Sequence, residues 1–244
     1  MRSGRAELEA VTEALKAGPD VIIAGGGWGT RIWPVRPEGN TTGISILASE
    51  LDGKRQELLM EMLPDARRIG ALADVNTSGP EHLRTLEDDA RSRGVELSVY
   101  KVGSRGNTDE VLSGIELARA TEIASAIELA HATGIQGLNV LASPLFGNYS
   151  GPIIERTIAA RIPAIFQWPD WATEGGLVNC GPRLDSSFRQ QVRQIVKVLR
   201  GARVADIPVE QPTKIELAIN LKTAKAIGIS LPSSLLSRAD EVIE

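Results

Sequence analysis

The sequence predicts an α/β fold in which parallel sheets are flanked by helices, and three observations carry that expectation. Short apolar runs alternate with longer stretches of helical periodicity, the order that β-α-β units produce. Residues such as Pro64, Gly94 and Gly201 fall between these stretches, where they stop helices. The third observation is bulk: 244 residues with 42% hydrophobic and 24% charged side chains can bury one large or two small cores, so the chain is not a disordered one.

Residues 6–15 read as a helix with Leu8, Val11 and Leu15 on one side, and 20–24 as a buried strand ending in glycines. Pro34, Pro37 and the glycine cluster deny a helix over 28–37. A strand at 42–47 leads into a helix at 50–62, whose Leu51, Leu58, Leu59 and Met62 form an apolar stripe. Residues 69–73 are the next strand, 80–93 a helix capped by Ser78 with Glu81 and closed by Gly94, and 95–102 an alternating strand. An Ala-rich helical pattern spans 108–132, and its length together with Gly114 predicts two helices or a break. Strands follow at 138–142, 163–167 and 177–180, with a helix at 151–160 and a turn at 170–174. Residues 186–200 form a helix with Asp185 as its amino cap. The rest is an extended run, a helix over 220–228 and a terminal helix opened by Pro232.

Charge and composition exclude several functions. A net charge of −4 with both signs interspersed leaves no basic face for a phosphate backbone, so nucleic acid is not an expected partner. No apolar run approaches the roughly 18–20 residues that span a bilayer. Arg2, Arg5, Glu7, Glu9, Glu13 and Lys16 interrupt the opening, which therefore lacks the apolar centre of a secretory signal, and the chain as given is expected to stay in the cytoplasm. Cys180 is alone, which excludes an internal disulfide and a multi-cysteine metal site; it reads as a small buried group. His82 and His131 fall inside helices with no second ligand at helical spacing, and read as surface residues. Ser143 lacks a nucleophile elbow, and Asp88 and Asp89 diverge on their helix. No catalytic residue, metal or cofactor is expected, and the protein is not expected to be an enzyme. Gly25, Gly26, Gly27 and Gly29 suggest a dinucleotide fingerprint, but Thr30 holds the third glycine position and the prolines deny the helix that would receive pyrophosphate.

In open α/β sheets ligands gather beyond the carboxyl ends of strands. Three loops stand there. The first holds Asn76, Thr77 and Ser78, ahead of a helix whose free amides can receive an anion. The second holds Ser143, Leu145 and Phe146, and the third Trp168, Asp170 and Trp171. Phe146, Trp168 and Trp171 offer a planar ligand an apolar wall, and Asp170 a charge-assisted bond to an amino group. The plainer alternative is that the rings fill core and Asp170 caps a turn.

Four ordered segments carry a resemblance: PEGNTTGISILASELDGKRQELLMEMLPDARRIGALAD, WATEGGLVNCGP, FRQQVRQIVKVLRGARVADIPVEQPTK and NLKTAKAIG. Over residues 37–244 the chain resembles the TrpX-like family of ABC-transporter substrate-binding proteins. The resemblance implies a two-lobed periplasmic-binding-protein-like fold, a small-molecule ligand such as an aromatic or branched amino acid or a small organic anion, and an ABC permease as partner. It also implies a periplasmic location, in contrast to the opening residues. Gly27 and Thr30 then resemble the family's strand-end loop on the first lobe. By the same comparison the first lobe is reduced, holding residues 1–66 and 177–204, while 67–176 and 205–244 form the second. A reduced lobe leaves sheet edge and apolar surface, from which pairing with a second copy is expected. The alternative function is a cytoplasmic homodimeric sensor or interaction protein on the same fold, or a degenerate relative that no longer binds.

Overall fold

A computed structural model of the chain describes residues 22–26, 41–103 and 112–244. The helix expected over 6–15, and Gly27 and Thr30, lie outside the described residues. A two-stranded parallel sheet pairs β1 (Ile22–Gly26) with β2 (Thr41–Ser45). The larger sheet contains β3 (Arg68–Asp74), β4 (Glu96–Val102), β5 (Leu138–Val140), β6 (Ala164–Phe166), β7 (Val178–Gly181), β8 (Glu216–Asn220) and β9 (Glu241–Ile243). Its order is β4-β3-β5-β6-β7-β8-β9, parallel throughout except for the antiparallel pair β7 and β8.

Helices cover both faces. Successive residues of β3 point to opposite sides: Leu72 joins one cluster, and Ile69, Ala71 and Ala73 belong to the cores on the other face. The first face is covered by α3 (Leu112–Ala132), α4 (Pro144–Asn148) and α5 (Ser150–Ala159), through Ile123, Ile127, Phe146 and Ile153. The second is covered by α1 (Ala48–Met62), α2 (Pro80–Ser92), α7 (Leu221–Ile227) and α8 (Ser233–Leu236), through Leu59, Leu86, Ile227 and Leu235. The remaining helix, α6 (Leu184–Leu199), packs on β1 and β2.

Several expectations need correction. α3 runs unbroken through Gly114, since a single glycine costs a helix only about 1 kcal/mol. The terminal segment forms only the four-residue α8 and then returns as β9, which pairs with β8. Ser78 does not cap α2: Gly79 is the capping residue and supplies no side-chain bond. Asp185 lies in the first turn of α6, and the Leu184 amide donates instead to Asp170 Oδ2 at 3.1 Å.

The partition of the chain between the sheets also shifts. α1 falls within 1–66 yet buries Leu58, Leu59 and Met62 against Ile165 and Val178 of the large sheet. β7 falls within 177–204 yet pairs with β6 and β8. Residues just past 204 join the small sheet instead: Thr42 Oγ1 donates to the Ile207 carbonyl at 2.9 Å, and Ser45 N to the Glu210 carbonyl at 2.9 Å. Apolar periodicity marks which residues are buried but not which sheet buries them, and this displaced the expected crossings.

Candidate functional site

The strand order reverses at β3, whose sequence successor β4 lies on one side while β5 lies on the other. A crevice outside the carboxyl ends of the strands is expected at such a switch point. Asp74, the last residue of β3, organises it. Its Oδ2 accepts from Ser143 Oγ at 2.6 Å, and its Oδ1 accepts from both the amide and the side-chain nitrogen of Asn76 at 2.9 Å. Two of the three predicted loops are therefore tied to one buried carboxylate. Gly103, at the end of β4, closes this corner. Its φ is +91°, and an added Cβ would lie 2.9 Å from Asp74 Oδ1, so a larger residue would strain the backbone and displace the carboxylate.

Ser143 is buried and caps α4 by accepting from the Leu145 amide at 3.0 Å. Its carbonyl receives Gln167 Nε2 at 3.4 Å, which joins the end of β6 to the same group. Thr77 is half-buried and Asn76 exposed, while Ser78 is buried and its amide donates to the Asp74 carbonyl at 2.8 Å. Half-buried Trp168 lines a small cavity with Ile46, Leu51, Arg55, Gln167 and Pro182, beside the links that join the two sheets. Leu47, in the first of these links, takes a left-handed conformation at φ 52°, which costs a side-chain-bearing residue about 1 kcal/mol or more.

Beneath the crevice lies a buried ionic group that the sequence reading missed. Arg55 donates to Asp52 Oδ1 and, at 2.9 Å, to the Cys180 carbonyl. Asp52 Oδ2 lies 3.0 Å from His82 Nε2, and its Oδ1 also receives the Ala142 amide at 2.9 Å. His82 is thus buried and bonded, which corrects its expected surface position; the only signal available was the i, i+3 spacing of Asp52 and Arg55. The arrangement holds α1, α2 and the residue before Ser143 in one register. Burial pushes the Cys180 thiol up, which makes it inert. Among the described residues no group of His, Cys, Asp and Glu is placed to hold a metal ion.

Polar strand-end loops of this kind are suited to binding. The family model for ABC transporter substrate binding proteins matches residues 9–243. The chain belongs to that family. These are substrate-binding proteins, not enzymes; they hold small molecules and work with ABC permeases. A Tyrosine-binding protein of Clostridioides difficile is 23% identical over 198 residues, 80% of this chain, and the chain spans about half of that relative, 51% of its length. The structure of an ABC domain in complex with L-Trp from Streptococcus pneumonia superposes with a TM-score of 0.74 at 20% identity, covering 98% of this chain and 86% of that one. A conserved domain protein from Vibrio cholerae gives a TM-score of 0.77 at 16% identity, covering 98% and 83%. The fold is accordingly the two-lobed, periplasmic-binding-protein-like one.

In this substrate-binding protein the predicted residues divide into two groups. Asn76 and Ser143 meet at Asp74, and Thr77 Oγ1 stands 3.5 Å from the Ala142 carbonyl, while Trp168 packs against the core cluster. Leu145 and Phe146 are fully buried in the core with Trp171, which meets Phe166 edge-on at 6.0 Å, so their side chains present no wall to a ligand. Asp170 turns toward the start of α6, where it holds the Leu184 amide with Arg183 Nη1 at 3.9 Å. No helix among the described residues is long and apolar enough to cross a membrane.

Proposed function

We propose that this chain is the solute receptor of an ABC importer, and that it holds an aromatic or branched amino acid, or a similar small organic anion, in the crevice beyond β3, β5 and β6. The observation that carries this reading is the group of Asp74, Asn76 and Ser143 at the strand-order reversal. Asn76, Thr77, Ser78, Ser143 and Trp168 are its contacts from the large-sheet lobe. Gly27 and Thr30 contribute from the other lobe, whose members are β1, β2, α6 and residues 204–210. The solute is met outside the cytoplasmic membrane and passed to the permease. The relatives that bind L-Trp and tyrosine support an amino acid as ligand.

The reading is tested by a thermal-shift screen of amino acids and small carboxylates. A ligand at about 100 times its Kd adds roughly 2.7 kcal/mol to stability. At this size that raises the melting temperature by several degrees. A flat response across the whole set removes the receptor reading.

One observation favours the alternative of a homodimeric sensor or interaction protein. α6 buries Gln190 and Gln194, and exposes Phe188, Val192, Ile195 and Leu199. A second copy of this chain is the partner that such a stripe fits, for reasons of spacing given below.

A further inference from the structure

Asp52 grips β5 and the residues just past it at two points. Its backbone carbonyl accepts from Asn139 Nδ2 at 3.1 Å, and its carboxylate accepts the Ala142 amide at 2.9 Å. Asp52, Arg55 and His82 are 2%, 1% and 8% exposed, so little water reaches the carboxylate to replace a lost partner. Arg55 and His82 bond the same carboxylate and hold it in one orientation.

Ala142 passes that position on to the crevice. Its carbonyl stands 3.5 Å from Thr77 Oγ1, and the next residue, Ser143, donates to Asp74 Oδ2 at 2.6 Å. A single residue therefore lies between the buried ion group and both crevice loops. The group also reaches the links between the sheets. α1, which carries Asp52 and Arg55, follows directly from Leu47, and Arg55 donates to the Cys180 carbonyl near the end of β7, just before the chain leaves for α6.

We propose that Asp52 is a positioning residue for ligand binding, which acts through the Ala142 amide to fix the spacing between the loop that opens with Ser143 and the loop of Asn76 and Thr77. The inference rests on the receptor reading above and adds to it a residue buried behind the ligand's contacts. If Asp52 and Arg55 served stability alone, apolar side chains of similar volume would replace the pair, since such exchanges are often neutral. If Asp52 positions the loop, its replacement must keep an acceptor for the Ala142 amide. Two double variants separate these cases. Asp52→Asn with Arg55→Met removes both charges and leaves a side-chain carbonyl, whereas Asp52→Leu with Arg55→Met leaves none.

Both variants of the full chain are titrated by calorimetry with L-tyrosine, L-leucine and propionate, one probe for each ligand class proposed above, and amide hydrogen exchange is followed at Ala142 and Ser143. The Asn–Met variant is expected to bind roughly tenfold or more tighter than the Leu–Met variant. In the Leu–Met variant exchange should quicken at Ala142 and Ser143 by more than it does along β3. Equal affinity in the two variants overturns the positioning role and leaves the receptor reading standing. A weaker Leu–Met variant whose Ala142 and Ser143 amides exchange as in the parent chain also overturns it, because the loss would not pass through that bond. If the Leu–Met variant does not fold, the parent chain decides. Saturation with the probe that binds should then move the Ala142 amide and the His82 ring resonances, both buried, together with Ser143; a shift at Ser143 with those two unmoved overturns the role. A parent chain that binds none of the three probes removes the receptor reading, and the positioning role with it.

Discussion

At the residue scale, Asp52 is a junction of several parts of this molecule that the sequence reading did not single out. It holds Arg55, His82 and the Ala142 amide, all buried. Removing one partner of a buried ion pair leaves the other charge uncompensated and typically costs about 3–5 kcal/mol. Asp52→Asn is therefore expected to destabilise the chain by about that amount in urea unfolding, and the double variant Asp52→Asn, Arg55→Met by distinctly less. A double-variant loss equal to the sum of the Asp52→Asn and Arg55→Met losses would show that the pair carries no such coupling. Arg183 is the second charged centre, bonded to Glu241 and Glu216 and held protonated well above its ordinary range by those two carboxylates. The Arg183 and then the Lys214 side chains hold Glu216 below the usual carboxylate range; the Leu217 amide and then Lys214 do the same for Asp240. Carboxylates depressed in the folded state add stability that is complete above their unfolded values, near pH 4, and is lost as pH falls further through the folded ones. Stability should thus decline below about pH 4, and Arg183→Met should flatten that decline, as measured by denaturation at successive pH values. Ser143 and Asn76 were legible because they follow apolar strands directly. His82 was not: its partner stands 30 positions away in sequence, and no periodicity records such a pairing.

At the element scale, the string NLKTAKAIG owes its ends to capping. Asn220 Oδ1 accepts the Thr223 amide at 2.9 Å, its Nδ2 donates to the Ala172 carbonyl at 2.8 Å, and Gly228 closes α7 in the left-handed region at φ +80°. Asn220→Ala removes the cap and leaves a buried carbonyl unpaired, and should cost about 1–3 kcal/mol by thermal or chemical denaturation. A loss below a few tenths of a kcal/mol would show that water replaces both bonds. α6 poses a different problem, because its polar side is the buried one. Gln194 Nε2 donates to the Gly43 carbonyl and Gln190 Nε2 to the Gln211 carbonyl, while Phe188, Val192, Ile195 and Leu199 stand exposed at spacings of four, three and four. That spacing is the seam of a two-stranded coiled coil. An antiparallel pair of copies matches Phe188 with Leu199 and Val192 with Ile195, and brings Asp185 of one within about a turn of Arg200 of the other. Light scattering at tens of micromolar should find a dimer that Phe188→Ser with Leu199→Ser disperses; a monomeric parent chain would contradict the pairing. The helix itself was legible from the sequence, but the direction of its apolar face was not. β9 was missed for a related reason: three residues carry no periodicity, and only their pairing to β8 makes them a strand.

At the scale of the whole molecule, the alternation of strands and helices was enough to predict the class. The order of the strands was not readable, and neither was the exchange of α1 and residues 204–210 between the two sheets, because both depend on contacts far apart in sequence. The account stands on one central claim, that the small molecule sits where β3, β5 and β6 end. Amide chemical shifts of the ¹⁵N-labelled chain, followed while L-tyrosine or another ligand found by the screen is added to saturation, test that claim most directly. The largest changes are predicted at Asn76, Thr77, Ser78, Ser143 and Trp168, with the outer residues of α2 and β4 unmoved. Saturable binding whose shifts fall away from those loops would contradict it.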